Sequence, residues 1–172
     1  DIDAAVGFIH ALADLRTHRQ SVTLSDASEA CFSHACHLDR ICKRLQLLDN
    51  IGEETTYHTQ ARLLIQDSFL PLFDRIKRET CRRLTELDID PADELDIAYR
   101  TLSPSDFGFH NAIRRPDNRI VFVDFEYFGW DDPVKMIADF LQHPAQSISE
   151  PAKKRFLEQV ILLFNQDEVL EE

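Results

Sequence analysis

Glycine is scarce in this chain. Its 172 residues hold four, Gly7, Gly52, Gly108 and Gly129, too widely spaced to write a GxGxxG turn or a P-loop. The chain therefore has no glycine-rich phosphate cradle of its own. Positive charge is the minority sign: 19 Lys and Arg face 31 Asp and Glu, a formal net charge of −12. A surface that tracks a nucleic-acid backbone needs the opposite balance, so no nucleic-acid partner is expected. The charged partners that fit are cations, or anions handled through a metal. Long apolar runs are missing as well. The longest, Val160-Ile161-Leu162-Leu163-Phe164, falls far short of the roughly 20 residues that span a bilayer. No membrane partner is expected, and the first residues lack the basic-then-apolar pattern of a signal peptide. A cytoplasmic location is the expectation. Methionine occurs once, as Met136, and the chain is read as a segment of a longer polypeptide.

What is present suits a folded domain: 44% of residues are hydrophobic and 29% charged, at a length that can hide about 70% of the unfolded chain's surface. Three of the four cysteines fall in Cys31-Phe-Ser-His34-Ala-Cys36-His37-Leu-Asp-Arg-Ile-Cys42. Thiolates and imidazoles are zinc ligands, but read as a helix this stretch puts Cys31, Leu38 and Cys42 on one stripe and Cys36 nearly opposite. The cysteines are therefore expected to be small buried hydrophobes rather than zinc ligands or a disulfide framework.

The first two-thirds read as helices. Ile2, Ala5, Val6, Ile9, Leu12 and Leu15 recur at helical spacing, with Asp1 and Asp3 at the favourable end. Ser25 or Asp26 is placed to cap a second helix, with Glu29 completing a capping box; that helix carries Phe32, Leu38, Ile41, Leu45 and Leu48 and ends near Asn50-Ile-Gly52. A third pattern runs from about Glu54 to Leu87, with Pro71 predicting a kink or break inside it. Asp88-Ile-Asp-Pro91 reads as a turn. Ile97-Ala98-Tyr99 reads as extended. Residues 111–115 and 119–125 flank Pro116-Asp117-Asn118 as a hairpin whose second strand is apolar enough to be buried. Asp131-Asp132-Pro133 starts a helix that stops before Pro144, and a last helix runs from about Glu150 to Phe164. The fold class is mainly α with a small β-hairpin, an α+β lobe over 1–172: helices over 1–96, a loop and hairpin over 97–130, and helices over 131–172.

The hairpin gathers the polar residues that carry chemistry. Asp106 lies in the loop before it and Asn111 follows five residues later. Asp124 ends the second strand, and Glu126, two residues on, would share its face if the chain stays extended. Hard oxygen donors of this kind suit Mg²⁺, which takes one or two carboxylates and completes its shell with water and substrate phosphates. His110, by the same alternation, points away from Asn111.

Ser103-Pro-Ser-Asp106-Phe-Gly-Phe-His-Asn111 and Val-Asp124-Phe-Glu-Tyr-Phe-Gly-Trp-Asp-Asp132-Pro133 together resemble the aminoglycoside phosphotransferase and choline kinase family, small-molecule kinases of protein-kinase-like fold. The resemblance covers about residues 97–142. It implies the C-terminal lobe of a kinase, with ATP as co-substrate, Mg²⁺ as cofactor, a small hydroxyl acceptor, and an N-terminal nucleotide-binding lobe elsewhere in the same polypeptide. It makes Asp106 the catalytic Asp, Asn111 and Asp124 the metal ligands, Glu126 a further metal or substrate contact, and Asp139 a structural support of the catalytic loop. The acidic surface suits a cationic acceptor such as an amino sugar or amino alcohol. One departure stands out: the family's His two residues before the catalytic Asp is here Pro104. Two rival readings follow, a non-catalytic pseudokinase-like binding module and a hydrolase with Asp124 and Glu126 as its acid and base.

Overall fold

A computed structural model describes residues 1–48, 51–52 and 54–165. It is mainly helical with a small set of antiparallel strands, an α+β architecture. The chain divides into two compact units, one formed by Asp1–Ala30 with Asp96–Glu172 and the other by Cys31–Leu95. No helix among the described residues is long and apolar enough to cross a membrane.

In the first unit, α1 (Ile2–Arg16) buries Ala5, Val6, Ile9, Leu12 and Ala13 along one stripe, the spacing its sequence predicts; Leu15 is exposed. The expected hairpin is present, and a second short sheet accompanies it. In that second sheet, β1 (Thr101–Ser103) pairs antiparallel with β4 (Gly129–Asp131), setting Thr101 opposite Asp131, Leu102 opposite Trp130 and Ser103 opposite Gly129. In the hairpin, β2 (Ala112–Arg114) pairs with β3 (Ile120–Phe122). The β1–β4 pair escapes a search for alternation because all six residues are buried. Ile97–Tyr99, expected to be extended, is a 3₁₀ turn; the strand begins two residues later. The second strand of the hairpin is also less buried than its composition suggests, with only Phe122 in the core and Val121 exposed.

Residues Ser25 to Ala27 line the free side of β4. Trp130 donates its N–H to the Ser25 carbonyl (3.0 Å) and its own carbonyl accepts from Ala27 N–H (2.8 Å). A Cβ on Gly129 would lie 2.3 Å from the Ser25 carbonyl oxygen, so glycine is required here for space. This pairing also overturns the expected cap: Asp26 is bridged to Trp130, Glu29 has φ 57°, and no helix starts there.

Asp132 caps α5 (Pro133–Gln142), its carboxylate accepting from Val134 N–H at 2.7 Å, with Pro133 at the first helical position. α6 (Glu150–Asn165) follows. The core of this unit is a run of phenylalanines: Phe8 against Phe122 (ring centroids 4.7 Å), Phe107 against Phe140 (4.7 Å), and Phe140 against Phe156 (4.5 Å). Phe107, Phe140 and Phe156 are fully buried, so α1, the loop after β1, α5 and α6 share one aromatic spine.

The regular structure of the second unit, among the described residues, is helical. α2 (His34–Leu48) starts later than expected, capped by Ser33, whose Oγ accepts from Cys36 N–H (3.2 Å). Cys31 therefore precedes the helix, and the helical stripe that opposed it to Cys36 does not exist. The expected end near Asn50 lies outside the described residues. α3 (Thr56–Leu64), a five-residue π turn (Ile65–Phe69) and α4 (Leu70–Glu86) run on from one another. The break expected at Pro71 takes the form of that π turn. Proline has no N–H for the carbonyl one turn back, and a wider turn just before it absorbs the mismatch. α4 ends with Asp88 at φ 56° and Ile89 N–H on the Leu84 carbonyl (2.9 Å), a Schellman ending with Asp where Gly is usual. It carries an exposed ionic face near its end: Arg82 and Arg83 both bond Glu79, holding that carboxyl down at about 2.

Candidate functional site

The loop after β1 alternates inward and outward. Phe107 is buried in the aromatic spine and Asp106 stands beside it, about half exposed. Ser105 holds the turn in a left-handed conformation (φ 68°), its N–H on Ser103 Oγ (3.0 Å) and its hydroxyl on the Ser28 carbonyl (2.7 Å). A non-glycine residue at positive φ is held there by its surroundings; here two hydrogen bonds do so.

Asn111 and Asp106 meet directly. Asn111 Nδ2 donates to Asp106 Oδ2 (3.1 Å) and to the Asp106 carbonyl (3.0 Å). Two histidines complete the cluster. His110 Nε2 lies 2.9 Å and His143 Nε2 3.3 Å from Asp106 Oδ1, and the two rings stack at 3.9 Å with an interplanar angle of 11°. Burial pushes the Asp106 carboxyl up, but His110, Asn111 and His143 outweigh it and hold the group below its ordinary value.

His110 thus faces the site rather than pointing away from it. The reason is local: Phe109–Asn111 is a 3₁₀ turn, where side chains do not alternate as in a strand, so residues four and five after Asp106 both reach it. The Asp-x-x-x-His spacing was the available signal. His143 gave none. It is placed by Pro144, which bars the preceding residue from helical backbone; His143 has φ −61° and ψ 125°. Gln146 ties this segment to the loop, accepting Phe109 N–H (2.6 Å) and donating to the Phe140 carbonyl. Gly108 leaves room for the His110 ring, since a Cβ there would lie 2.5 Å from its atoms.

The hairpin brings Asp124 beside Asn111 through the backbone: Val123 N–H donates to the Asn111 carbonyl (2.9 Å), extending the ladder past β3. Asp124 is exposed and left-handed (φ 67°), so it does not continue a buried strand. The alternation expected to pair Asp124 with Glu126 does not apply. The Tyr127 hydroxyl donates to Glu126, and its proton is held above the ordinary phenol range by that carboxylate first, with Asp124 and Asp106 adding to the same negative potential. Asp124 and Glu126 are both exposed, and among the described residues neither belongs to a group of three ligand side chains within 4.8 Å.

Asp139 lies apart, on α5. It bonds Lys135 Nζ (2.8 Å), which also bonds the fully buried Asp131 (3.0 Å) opposite Thr101 in the β1–β4 ladder. Burial lifts the Asp131 carboxyl above its ordinary value despite Lys135. Lys135 is also partly buried, yet the two carboxylates hold its ammonium above its ordinary range. Asp139 is thus joined through Lys135 and Asp131 to the ladder whose other strand, β1, leads into the Asp106 loop.

Among the described residues, Asp106, His110 and His143 form the one group of three or more His, Cys, Asp or Glu ligand atoms all within 4.8 Å of one another. Compared with protein-family models, curated proteins and solved structures, the chain matches none.

Proposed function

We propose that this chain is the C-terminal lobe of an ATP-dependent small-molecule kinase that transfers a phosphoryl group to an acceptor hydroxyl. The observation that carries this reading is the Asp106–Asn111 pair at the open end of a hairpin that also presents Asp124. In phosphoryl transfer positioning and charge neutralisation do most of the work. Asp106, held ionised by its neighbours, would accept the hydrogen bond of the acceptor hydroxyl, orient its oxygen and receive its proton. Asn111 and Asp124 would hold Mg²⁺, with Glu126 as a further metal or substrate contact. Bound there, Mg²⁺ would supply neutralisation of phosphate charge. The nucleotide's base and remaining phosphates fall to a separate N-terminal lobe of the same polypeptide, and the acidic surface favours a cationic acceptor.

Pro104 was the main support for a pseudokinase. It is buried, and His110 and His143 both contact the Asp106 carboxylate, so the missing histidine weighs less. The hydrolase reading loses its extended Asp124–Glu126 pair. The test is ADP release by the full polypeptide with Mg-ATP and a panel of amino sugars, amino alcohols and neutral sugars. Acceptor-dependent release that Asp106→Asn abolishes supports the kinase; release that persists in that variant refutes it.

A second reading has its own observation, the Asp106–His110–His143 triad. Two imidazoles and a carboxylate with open positions suit a first-row transition metal, which would make Asp106 a ligand instead of a base. Equilibrium dialysis against Zn²⁺ and Mn²⁺ separates the two: stoichiometric binding lost in His143→Ala favours the metal centre.

A further inference from the structure

Cys31 and Cys36 carry an inference independent of the kinase reading. The Cys36 and Cys31 sulfurs lie 2.6 Å apart, far closer than thiols that merely pack side by side. Ser33 fixes one side of the pair by capping α2 at Cys36 N–H (3.2 Å). The other side is fixed by burial: Cys31 is 1% exposed, whereas Cys36 is partly open to solvent. Neither sulfur belongs to the one cluster of three or more metal-ligating side chains among the described residues. The chain carries no disulfide, and both are thiols.

We propose that Cys31 and Cys36 are a reversible dithiol–disulfide pair, oxidised by a small-molecule disulfide of the glutathione type. The exposure difference sets the order of events. The Cys36 thiolate, having lost its proton to solvent, attacks one sulfur of the oxidant. This forms a mixed disulfide and releases one small thiolate. The buried Cys31 sulfur, already beside it, gives up its proton and attacks the Cys36 sulfur, displacing the second small thiolate. The protein loses two hydrogens and two electrons, and the oxidant leaves as two thiols. The five-residue spacing keeps the cross-link at the start of α2, so the helix needs no rearrangement to form it.

The test is made on the wild-type chain. It is incubated with oxidised glutathione, its remaining thiols are alkylated, and it is digested with chymotrypsin without reductant. Cleavage after Phe32 separates Cys31 from Cys36, so the peptides stay joined only if the disulfide has formed. The expected result is a joined pair that dithiothreitol releases. Cys31→Ser is expected to hold glutathione on Cys36 in stoichiometric yield, and Cys36→Ser to leave Cys31 unmodified. Oxidation confined to Cys42 or Cys81, or wild-type Cys36 found only as its glutathione adduct, overturns the pair. Glutathione trapped on Cys31 in Cys36→Ser, with none on Cys36 in Cys31→Ser, overturns the order.

Discussion

Replacing Lys135 by Met tests how the β1–β4 ladder that supports the Asp106 loop is held. The substitution keeps most of the stem's volume and removes the ammonium. Asp131, whose side chain is 0% exposed, then loses Lys135 at 3.0 Å and keeps only the Asp132 N–H at 2.9 Å. Breaking one partner out of a buried pair costs about 3–5 kcal/mol. A ceiling comes from the carboxyl's escape, which is to take a proton. From its ordinary value of 3.8, holding that proton at pH 7 costs about 4 kcal/mol, at about 1.4 kcal/mol per pH unit. At pH 4.5 the same escape costs about 1 kcal/mol. The sign agrees with the direction of the shift. A carboxyl raised in the folded state adds stability below its unfolded value and loses it as pH rises through the folded value. Lys135→Met is therefore expected to lower stability by about 3–4 kcal/mol at pH 7 but by no more than about 1 at pH 4.5. Urea unfolding of variant and wild type at both pH values, followed by circular dichroism, measures this. Adding Asp131→Asn should recover most of the pH 7 loss. An equal loss at both pH values, or a pH 7 loss under about 1 kcal/mol, refutes the argument.

Four further outcomes follow from the same structure. Phe107→Ala, at the centre of the aromatic spine, is expected to cost about 3–5 kcal/mol in urea unfolding, against little for the exposed Phe125. Gly129→Ala, which drives a methyl into the Ser25 carbonyl, is expected to cost at least about 1–3 kcal/mol as overpacking against backbone, read as a drop in melting temperature. At the hairpin turn, Asn118 has φ 64°, so Asn118→Ala should destabilise by about 1 kcal/mol while Asn118→Gly stays within about 1 kcal/mol of wild type. Gly108→Ala should push the His110 ring off Asp106 and raise the Asp106 carboxyl toward its ordinary value, visible in its carbon-13 titration. A carboxyl held low stabilises above its unfolded value and loses that stability as pH falls through the folded one, so Gly108→Ala should shrink the acid leg of the stability profile.

Where the chain obeys a period, its sequence was readable. The stripe of α1, the Asp132-Pro133 start of α5 and the Pro116–Asn118 turn all appear where their residues put them, because each depends on neighbours within one turn. Failures came where a distant segment decides. Asp26 looks like a cap until β4 is known to lie against it, and then its backbone is committed to Trp130. Thr101–Ser103 and Gly129–Asp131 have no alternation because both their faces are covered. At the site, the five-residue Asp106–Asn111 spacing was readable, being local. His143 was not, since its approach to Asp106 depends on where α5 ends and on Gln146 returning to Phe109.

Asp131 and Asp106 show how position decides what the same side chain does. Asp131 and Asp106 sit at opposite ends of β1's neighbourhood, one across the ladder and one in the loop that follows. Asp131 is sealed from water with one ammonium and one N–H, so its charge is a cost that its partners only partly offset, and its role is to hold the ladder. Asp106 keeps about half its surface in water while His110, His143 and Asn111 crowd it with donors, so its charge is favoured and an acceptor face stays open to solvent. A carboxylate that is ionised, oriented by three side chains and still accessible is equipped to take a hydrogen bond from something not yet in the protein. That asymmetry makes Asp106, and not the more deeply buried Asp131, the residue on which the functional reading stands.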